Sequence, residues 1–209
     1  MDLNLYKTIK QDCVTNFTEK KSRFISYISH VTSETQAVDF LKKIKDKHWD
    51  ATHHVYAYVL KNNQIQRYSD DGEPRATAGI PVLNILLKSE IYDVIVVVVR
   101  YFGGTLLGAG GLVRAYSNSC KLALEKSEIV FVHLCQKFLI TFDYNLYSQI
   151  QTLLLNYHNK ILNKIYNNNV CLEIAVRDSS FDKLSEELLN LCSGNIIIKK
   201  LEKLEMALS

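Results

Sequence analysis

The chain has 209 residues, 47% of them apolar, and a formal net charge of +3. This length suits one large or two small domains, and the slight positive excess permits a local nucleic-acid-binding patch without requiring one. No run approaches the roughly 20 apolar residues of a membrane span, and residues 1–21 are too polar for a secretory signal. A cytoplasmic protein without a membrane partner is therefore predicted.

The N-terminal region begins with a predicted strand near 24–30 and a helix that ends at about Lys47. Ser33 is predicted to cap this helix, with Gln36 completing a capping box. A hairpin, a short helix, a buried Val/Ile strand, a longer helix and a closing strand follow. The hairpin is predicted over 52–60 and 64–69, with its turn at Asn62-Asn63. The short helix is predicted to end near 87 and the buried strand to span 93–100. The longer helix is predicted to end near 126 and the closing strand to span 129–134.

The C-terminal region shows the order βαββαβ, which is typical of ferredoxin-like domains. Its predicted elements are a strand over 137–144, a helix capped by Asn145, strands over 160–166 and 170–177, a helix that stops at Gly194, and a last strand over 195–204. We therefore predict an α+β protein whose second domain contains no catalytic cluster.

Five of the eight glycines lie within the nine residues 103–111, between the buried strand and the following helix. A strand, a glycine-rich turn and a helix N-terminus present free backbone N–H groups and the positive end of a helix dipole to an anion such as phosphate. The spacing satisfies neither the dinucleotide fingerprint nor the P-loop. Arg100 and Arg114 flank the turn and favour anion binding over the alternative, in which the glycines only permit a tight turn and close packing.

Three carboxylates lie within four residues, at Asp70, Asp71 and Glu73. Such a cluster can hold Mg²⁺ or accept hydrogen bonds from a basic partner. In the alternative, the Asp side chains cap backbone N–H groups and pair with Arg75 or Arg100. The sequence leaves both open, so no cofactor is assigned and Mg²⁺ stays an alternative.

Two histidines open the first hairpin strand. Alternation places His53 on the face of Val55, and His54 on the opposite face, which is predicted to meet solvent. His54 is interpreted either as a proton-transfer or phosphate-contacting group or as a structural histidine. The five cysteines contain no Cys-x-x-Cys pair, and no Ser-His-Asp or Cys-His constellation is evident, so the sequence favours a binding protein over an enzyme.

Four segments carry a family resemblance: KKSRF at 20–24, ATHH at 51–54, SDDGEP with TAG within 69–79, and VVVRYFGGTLLGAGGLVRAY at 97–116. Together they closely resemble the IMPACT family, including its bacterial YigZ-type members. Arg75 departs from the small residue often found in bacterial relatives and adds positive charge beside the acidic turn.

The resemblance implies an N-terminal domain over 1–134 with the fold of a small-subunit ribosomal protein, domain IV of elongation factor G and small-metabolite kinases. It implies a ferredoxin-like domain over 135–209 similar to domain V of the same factor. In eukaryotic members it implies translational regulation during amino-acid starvation, through competition for the activator of an initiation-factor kinase.

Three functions are weighed. The first is a translation-associated regulatory protein that binds the ribosome or another structured RNA through the glycine-rich turn, without DNA sequence specificity. The second is an enzyme or sensor of a small phosphorylated metabolite or nucleotide with Mg²⁺. The third is a protein-interaction adaptor whose acidic turn docks a basic partner.

No residue is predicted to be catalytic or to bind a metal. The predicted binding surface comprises His54, Asp70, Asp71, Glu73, Arg75, Thr77, Arg100, Tyr101, Gly103, Gly104, Gly108, Gly110, Gly111 and Arg114.

Overall fold

The structure is a computed structural model that describes residues 4–208. The chain folds into two compact units, one spanning Tyr6–Ile129 and the other formed mostly by residues from 130 onward. No helix within residues 4–208 has the length and apolar character needed to cross a membrane.

Both units contain strands and helices. The strands are β1 (Asn4–Ile9), β2 (Cys13–Glu19), β3 (Ser22–His30), β4 (His53–Leu60), β5 (Ile65–Ser69), β6 (Val94–Tyr101), β7 (Ile129–Phe142), β8 (Asn159–Tyr166), β9 (Val170–Arg177) and β10 (Ile196–Ala207). The helices are α1 (Glu34–Lys47), α2 (Gly79–Lys88), α3 (Ala109–Ser127), α4 (Tyr147–Leu154) and α5 (Phe181–Leu191).

The N-terminal unit is built on an antiparallel sheet in the order β2-β3-β6-β4-β5. The central strand β6 is buried along almost its whole length, as its Val/Ile composition predicts. Helices α2 and α3 pack on one face of the sheet, whereas α1 packs on the other. Helices therefore cover both faces of the sheet. The alternation of residues in β4 predicted that one face would meet solvent.

The sequence did not predict β1 and β2. Strand β2 alternates between half-buried and exposed residues, and the ring of Phe17 stacks on Phe24 of β3 with their centroids 5.1 Å apart. The apolar residues of β2 are too few and too widely spaced to distinguish this edge strand from a loop.

The C-terminal unit confirms the predicted βαββαβ order over β7 to β10, with α4 and α5 inserted. The sheet order β10-β7-β9-β8 is the ferredoxin-like arrangement, and β1 joins the same sheet beside β7. Its core is formed by apolar residues of the sheet and of both helices, including Phe138, Ile174, Leu184 and Leu188.

Strand β7 corrects one prediction. The strands predicted over 129–134 and 137–144 form one continuous strand, because neither glycine nor proline interrupts residues 129–142. The expected domain boundary after residue 134 lies inside this strand, and the division into domains 1–134 and 135–209 stays a prediction.

Helix α1 begins as the capping box predicts. Ser33 has an extended backbone, and its hydroxyl oxygen accepts a hydrogen bond from the Gln36 N–H at 3.3 Å. The Gln36 side chain accepts in turn from the Thr32 N–H at 2.8 Å. Two N–H groups at the helix start are thereby satisfied.

Removing this cap tests its contribution to stability. We expect Ser33→Ala to lower the free energy of unfolding by about 1 kcal/mol, because one N–H at the helix start loses its acceptor. Urea denaturation measures the change. Thr35→Ala, at an exposed position in the first turn of the same helix, is the control and should be neutral or slightly stabilising. Equal losses in the two variants would contradict the capping role.

Candidate functional site

Asp70 is a structural cap at the start of α2. Its Oδ1 accepts hydrogen bonds from the N–H groups of Ala78 and Gly79 at 3.1 and 2.8 Å, and its Oδ2 accepts from the Ala76 N–H at 2.9 Å. These N–H groups would otherwise lack partners at the helix N-terminus. Both oxygens of the carboxylate are thus occupied by backbone donors.

Asp71 points toward the opposite side of the turn. Its Oδ2 accepts from the His54 N–H at 2.6 Å, and Lys45 Nζ lies 3.4 Å from Oδ1. Its carbonyl oxygen accepts from His53 Nδ1 at 2.8 Å. Asp71 therefore ties the acidic turn to the beginning of β4.

Glu73 lies at the centre of a buried polar cluster. Its Oε1 accepts from Arg100 Nη1 at 2.6 Å and from the Tyr116 hydroxyl at 2.7 Å. The Glu73 and Arg100 side chains are only 3% and 5% exposed. Burial, reinforced by the Glu73 carboxylate, raises the pKa of Tyr116 far above its usual range, so this hydroxyl stays protonated and can donate.

Two further side chains complete the cluster. Arg100 Nη2 donates to Ser22 Oγ at 3.3 Å, and His53 Nε2 lies 3.7 Å from Glu73 Oε1. The guanidinium also lies 5.5 and 5.6 Å from the ring centroids of Phe24 and Phe102. Arg100 is therefore enclosed, and its charge is balanced internally by Glu73.

These contacts correct two predictions. Arg100 was expected to contact phosphate, but it is buried because β6 is the central strand and Glu73 covers its end. His54 was expected on the solvent side, but it is 9% exposed and its Nε2 donates to the His48 carbonyl oxygen at 2.9 Å. The physical reason is that α1 covers the face of β4 to which His54 belongs.

The remaining polar residues of the predicted surface have local roles. Thr77 Oγ1 donates to the Pro74 carbonyl oxygen at 2.6 Å, whereas Arg75 is exposed. The Tyr101 hydroxyl donates to Asp50 Oδ1 at 3.0 Å. Burial and this bond raise the pKa of Tyr101. None of these contacts assembles a reaction centre.

The glycine-rich turn starts with a close approach between backbones. Gly103 donates its N–H to Ser22 Oγ at 3.2 Å, and a Cβ at this position would lie 2.0 Å from the Lys21 carbonyl carbon. Gly104 and Gly108 have φ values of +79° and +72°, a region that glycine adopts without strain. The turn requires glycine at these three positions for conformational or steric reasons.

The start of α3 is exposed and has no side-chain cap. Gly108 occupies the N-cap position, and no acidic residue lies in the first turn. The Leu112 N–H donates to the Gly108 carbonyl oxygen at 3.0 Å, so the N–H groups of Ala109, Gly110 and Gly111 have no acceptor within the helix. This end of the helix thus presents free donors and the positive pole of the helix dipole.

Lys20 and Arg114 line a groove beside this helix end, and Lys21 follows Lys20 in the same turn; we call these three cations the basic rim. Lys20 and Lys21 form the turn between β2 and β3 with φ values of +44° and +66°, and Lys21 packs directly against Gly103. The groove has a volume of about 240 Å³. It is lined by Phe17, Glu19, Lys20, Leu107, Gly111, Arg114, Ala115 and Asn118.

Sequence reasoning missed four contributors to this region. Lys20 was named only within the KKSRF segment, and Ser22, His53 and Tyr116 were not assigned to the binding surface. Alternation did place His53 on the core-facing side of β4, and a polar residue on such a face signals a buried partner. The position of Lys20 along the groove depends on the pairing of β2 with β3, which was not predicted.

The carboxylates do not form a metal site. Within residues 4–208, no group of three or more His, Cys, Asp or Glu side chains is arranged to hold a metal ion. Asp70, Asp71 and Glu73 diverge, because each is directed toward different backbone or side-chain donors. The donor set therefore offers little to Mg²⁺.

The buried ion pair predicts a large energetic effect. Glu73→Ala should lower the free energy of unfolding by about 3–5 kcal/mol, because Arg100 would stay buried without its counter-charge. Urea denaturation is again suitable. Lys10→Ala removes an exposed pair with Glu128 and should cost less than about 1 kcal/mol. Similar losses in the two variants would refute a central role for Glu73.

Two glycines of the same turn should respond differently to an added methyl group. Gly103→Ala should destabilise the protein by about 1–3 kcal/mol, because the new Cβ overlaps the Lys21 backbone. Gly110→Ala has no atom within 4 Å of the new Cβ and should leave stability unchanged or raise it by up to about 1 kcal/mol. Thermal unfolding of both variants checks this order, and the reverse order would disprove the described packing.

Comparison with known proteins covers both units. Residues 20–124 match the family described as the Impact N-terminal domain, and residues 140–195 match a domain of unknown function (DUF1949). The IMPACT family member YvyE of Bacillus subtilis is 38% identical over 199 residues, which cover 95% of this chain and 92% of that protein. The IMPACT family member YigZ of Escherichia coli is 34% identical over 187 residues, which cover 88% and 92%, respectively.

A solved structure supports the same relationship. A crystal structure of a hypothetical protein aligns with a TM-score of 0.60 at 32% identity, covering 94% of this chain and 97% of that one. The resemblance predicted from the four motifs is confirmed, because relatives of more than 30% identity align over most of the sequence. The chain belongs to the IMPACT family.

Proposed function

We propose that this chain is a translation-associated regulatory protein that binds the ribosome or another structured RNA in the cytoplasm. The observation that carries the proposal is the exposed, uncapped start of α3 next to the basic rim. Free N–H groups at a helix start and nearby cations are the groups that bind the phosphates of a nucleic-acid backbone.

The surroundings of this helix end favour an extended polyanion. The groove is open at the surface, and Lys20 and Arg114 line it from opposite elements. Lys21 adds a charge beside the glycine turn. Cations distributed along a surface can contact successive phosphates, whereas a single small phosphate would need them to converge.

The fold gives a second line of support. The family resemblance implies the fold of a ribosomal protein and of domain IV of elongation factor G, followed by a domain similar to domain V. A shared fold alone is only an analogy. It supports RNA binding here because the exposed start of α3 and the basic rim lie on the unit that has this fold. The free thiols of all five cysteines also fit a reducing compartment.

The other two functions receive less support from the geometry. A phosphorylated metabolite held with Mg²⁺ would need free carboxylates, but Asp70 accepts three backbone hydrogen bonds and Glu73 is neutralised by Arg100. An adaptor that docks a basic partner on the acidic turn would need the same carboxylates at the surface. The Glu73 side chain is only 3% exposed.

RNA binding measured across a salt series tests the proposal. We expect the purified protein to bind ribosomes or structured RNA at low salt, with an affinity that falls as salt rises. Lys20→Gln and Arg114→Gln should each weaken binding and reduce the slope of log K against log salt by about 1, because each removes one phosphate contact.

Lys88→Gln provides the matched control, because this exposed cation ends α2 near the start of β6, at the strand end remote from the glycine turn. Its affinity and slope should equal those of the unmodified protein. Failure to bind ribosomes and RNA even at low salt would refute the proposal, as would equal losses in all three variants.

A further inference from the structure

The single tryptophan of the chain is strongly exposed in the connection between α1 and β4. Trp49 follows the end of α1 and is 82% exposed. Its two neighbours, His48 and Asp50, both contact the Tyr101 hydroxyl, at 2.9 Å from His48 Nδ1 and 3.0 Å from Asp50 Oδ1. The segment that carries Trp49 is therefore bonded on both sides of this residue to Tyr101, the last residue of β6.

A second exposed aromatic ring follows directly on this strand. Phe102 is 46% exposed, and its N–H donates to Thr52 Oγ1 at 3.1 Å. The guanidinium of Arg100 lies 5.6 Å from the ring centroid. The segment that carries Trp49 and the residue Phe102 are thus connected by hydrogen bonds at both Tyr101 and Thr52.

The charges near these rings are predominantly positive. Arg23, paired with Tyr101 across the sheet, places its guanidinium 4.5 Å from the centroid of the Tyr101 ring. Lys21 lies against Gly103, the residue after Phe102. Asp50 is the acidic group within this set, and its Oδ1 accepts the hydrogen bond from Tyr101.

Exposed aromatic rings beside cations form the surfaces that hold unpaired nucleotides. Aromatic side chains stack on bases whose faces are not already covered by a neighbouring base pair, while cations hold the adjacent phosphates. A tryptophan left this exposed gains nothing from folding, since its apolar area stays in water. A bound base would remove that area from water.

We propose that Trp49 and Phe102 form a stacking platform for unpaired bases of RNA, with the phosphates directed to the basic rim. This inference rests on the proposed RNA-binding function and specifies its ligand as single-stranded or looped RNA rather than duplex. In this arrangement the N-terminal unit stacks unpaired bases near the end of β6, while the start of α3 binds the phosphates of the RNA backbone.

The single tryptophan makes the test direct, because the intrinsic indole fluorescence comes from Trp49 alone. Titration at low salt with a single-stranded oligouridine of about 12 nucleotides should quench this fluorescence. A duplex of equal length should bind through its phosphates and leave the fluorescence nearly unchanged. Affinities of the variants are measured by anisotropy of a labelled oligonucleotide.

Trp49→Ala should weaken single-strand binding roughly 5- to 100-fold, whereas Trp49→Phe should retain most of the affinity. Leu155→Ala alters a residue of comparable exposure, 84%, in the other unit and should have no effect.

If RNA binds with the expected salt dependence but neither quenches Trp49 fluorescence nor binds more weakly to Trp49→Ala, the stacking platform is refuted and phosphate binding stands. Equal quenching by duplex and single strand also refutes it. Absence of any RNA binding removes the proposed function and this inference together.

Discussion

The buried ion pair between Glu73 and Arg100 is the constraint on which the N-terminal unit depends. One carboxylate oxygen accepts from Arg100 near the end of β6 and from Tyr116 about two turns into α3. Two charges withdrawn from water are costly unless they are paired and hydrogen-bonded. The pair therefore fixes three elements at once: the acidic turn, the end of the central strand, and the helix that follows the glycines.

The charged residues of the acidic turn and the end of β6 have structural roles, whereas other groups are left free to bind an anion. Asp70 and Asp71 are used to anchor the acidic turn, and Arg100 is neutralised by Glu73. The free groups are backbone N–H donors at the start of α3 and cations on neighbouring elements. Because the donors belong to a helix held by buried contacts, an anion would meet them already oriented.

The sequence predicted elements whose signals are local, and it failed where a partner lies far along the chain. The Ser33 cap, the buried strand β6 and the βαββαβ order follow from spacing, composition and capping chemistry. The burial of His54 and Arg100 depends instead on which elements cover each face of the sheet. A motif of charged residues predicts that these side chains form polar contacts. Tertiary packing decides whether those contacts are made with each other or with solvent and ligands.

The same distinction explains why the free surface was harder to predict than the scaffold. Lys20 lines the same groove as Gly111 because the pairing of β2 with β3 places their turn there, and the segment of Trp49 lies at the end of β6 because His48 and Asp50 bond to Tyr101. Neither residue belongs to the binding surface that the sequence predicts. A surface that combines aromatic rings, distributed cations and an open helix start is suited to a flexible polyanion with exposed bases, since each feature contacts a different part of a nucleotide chain.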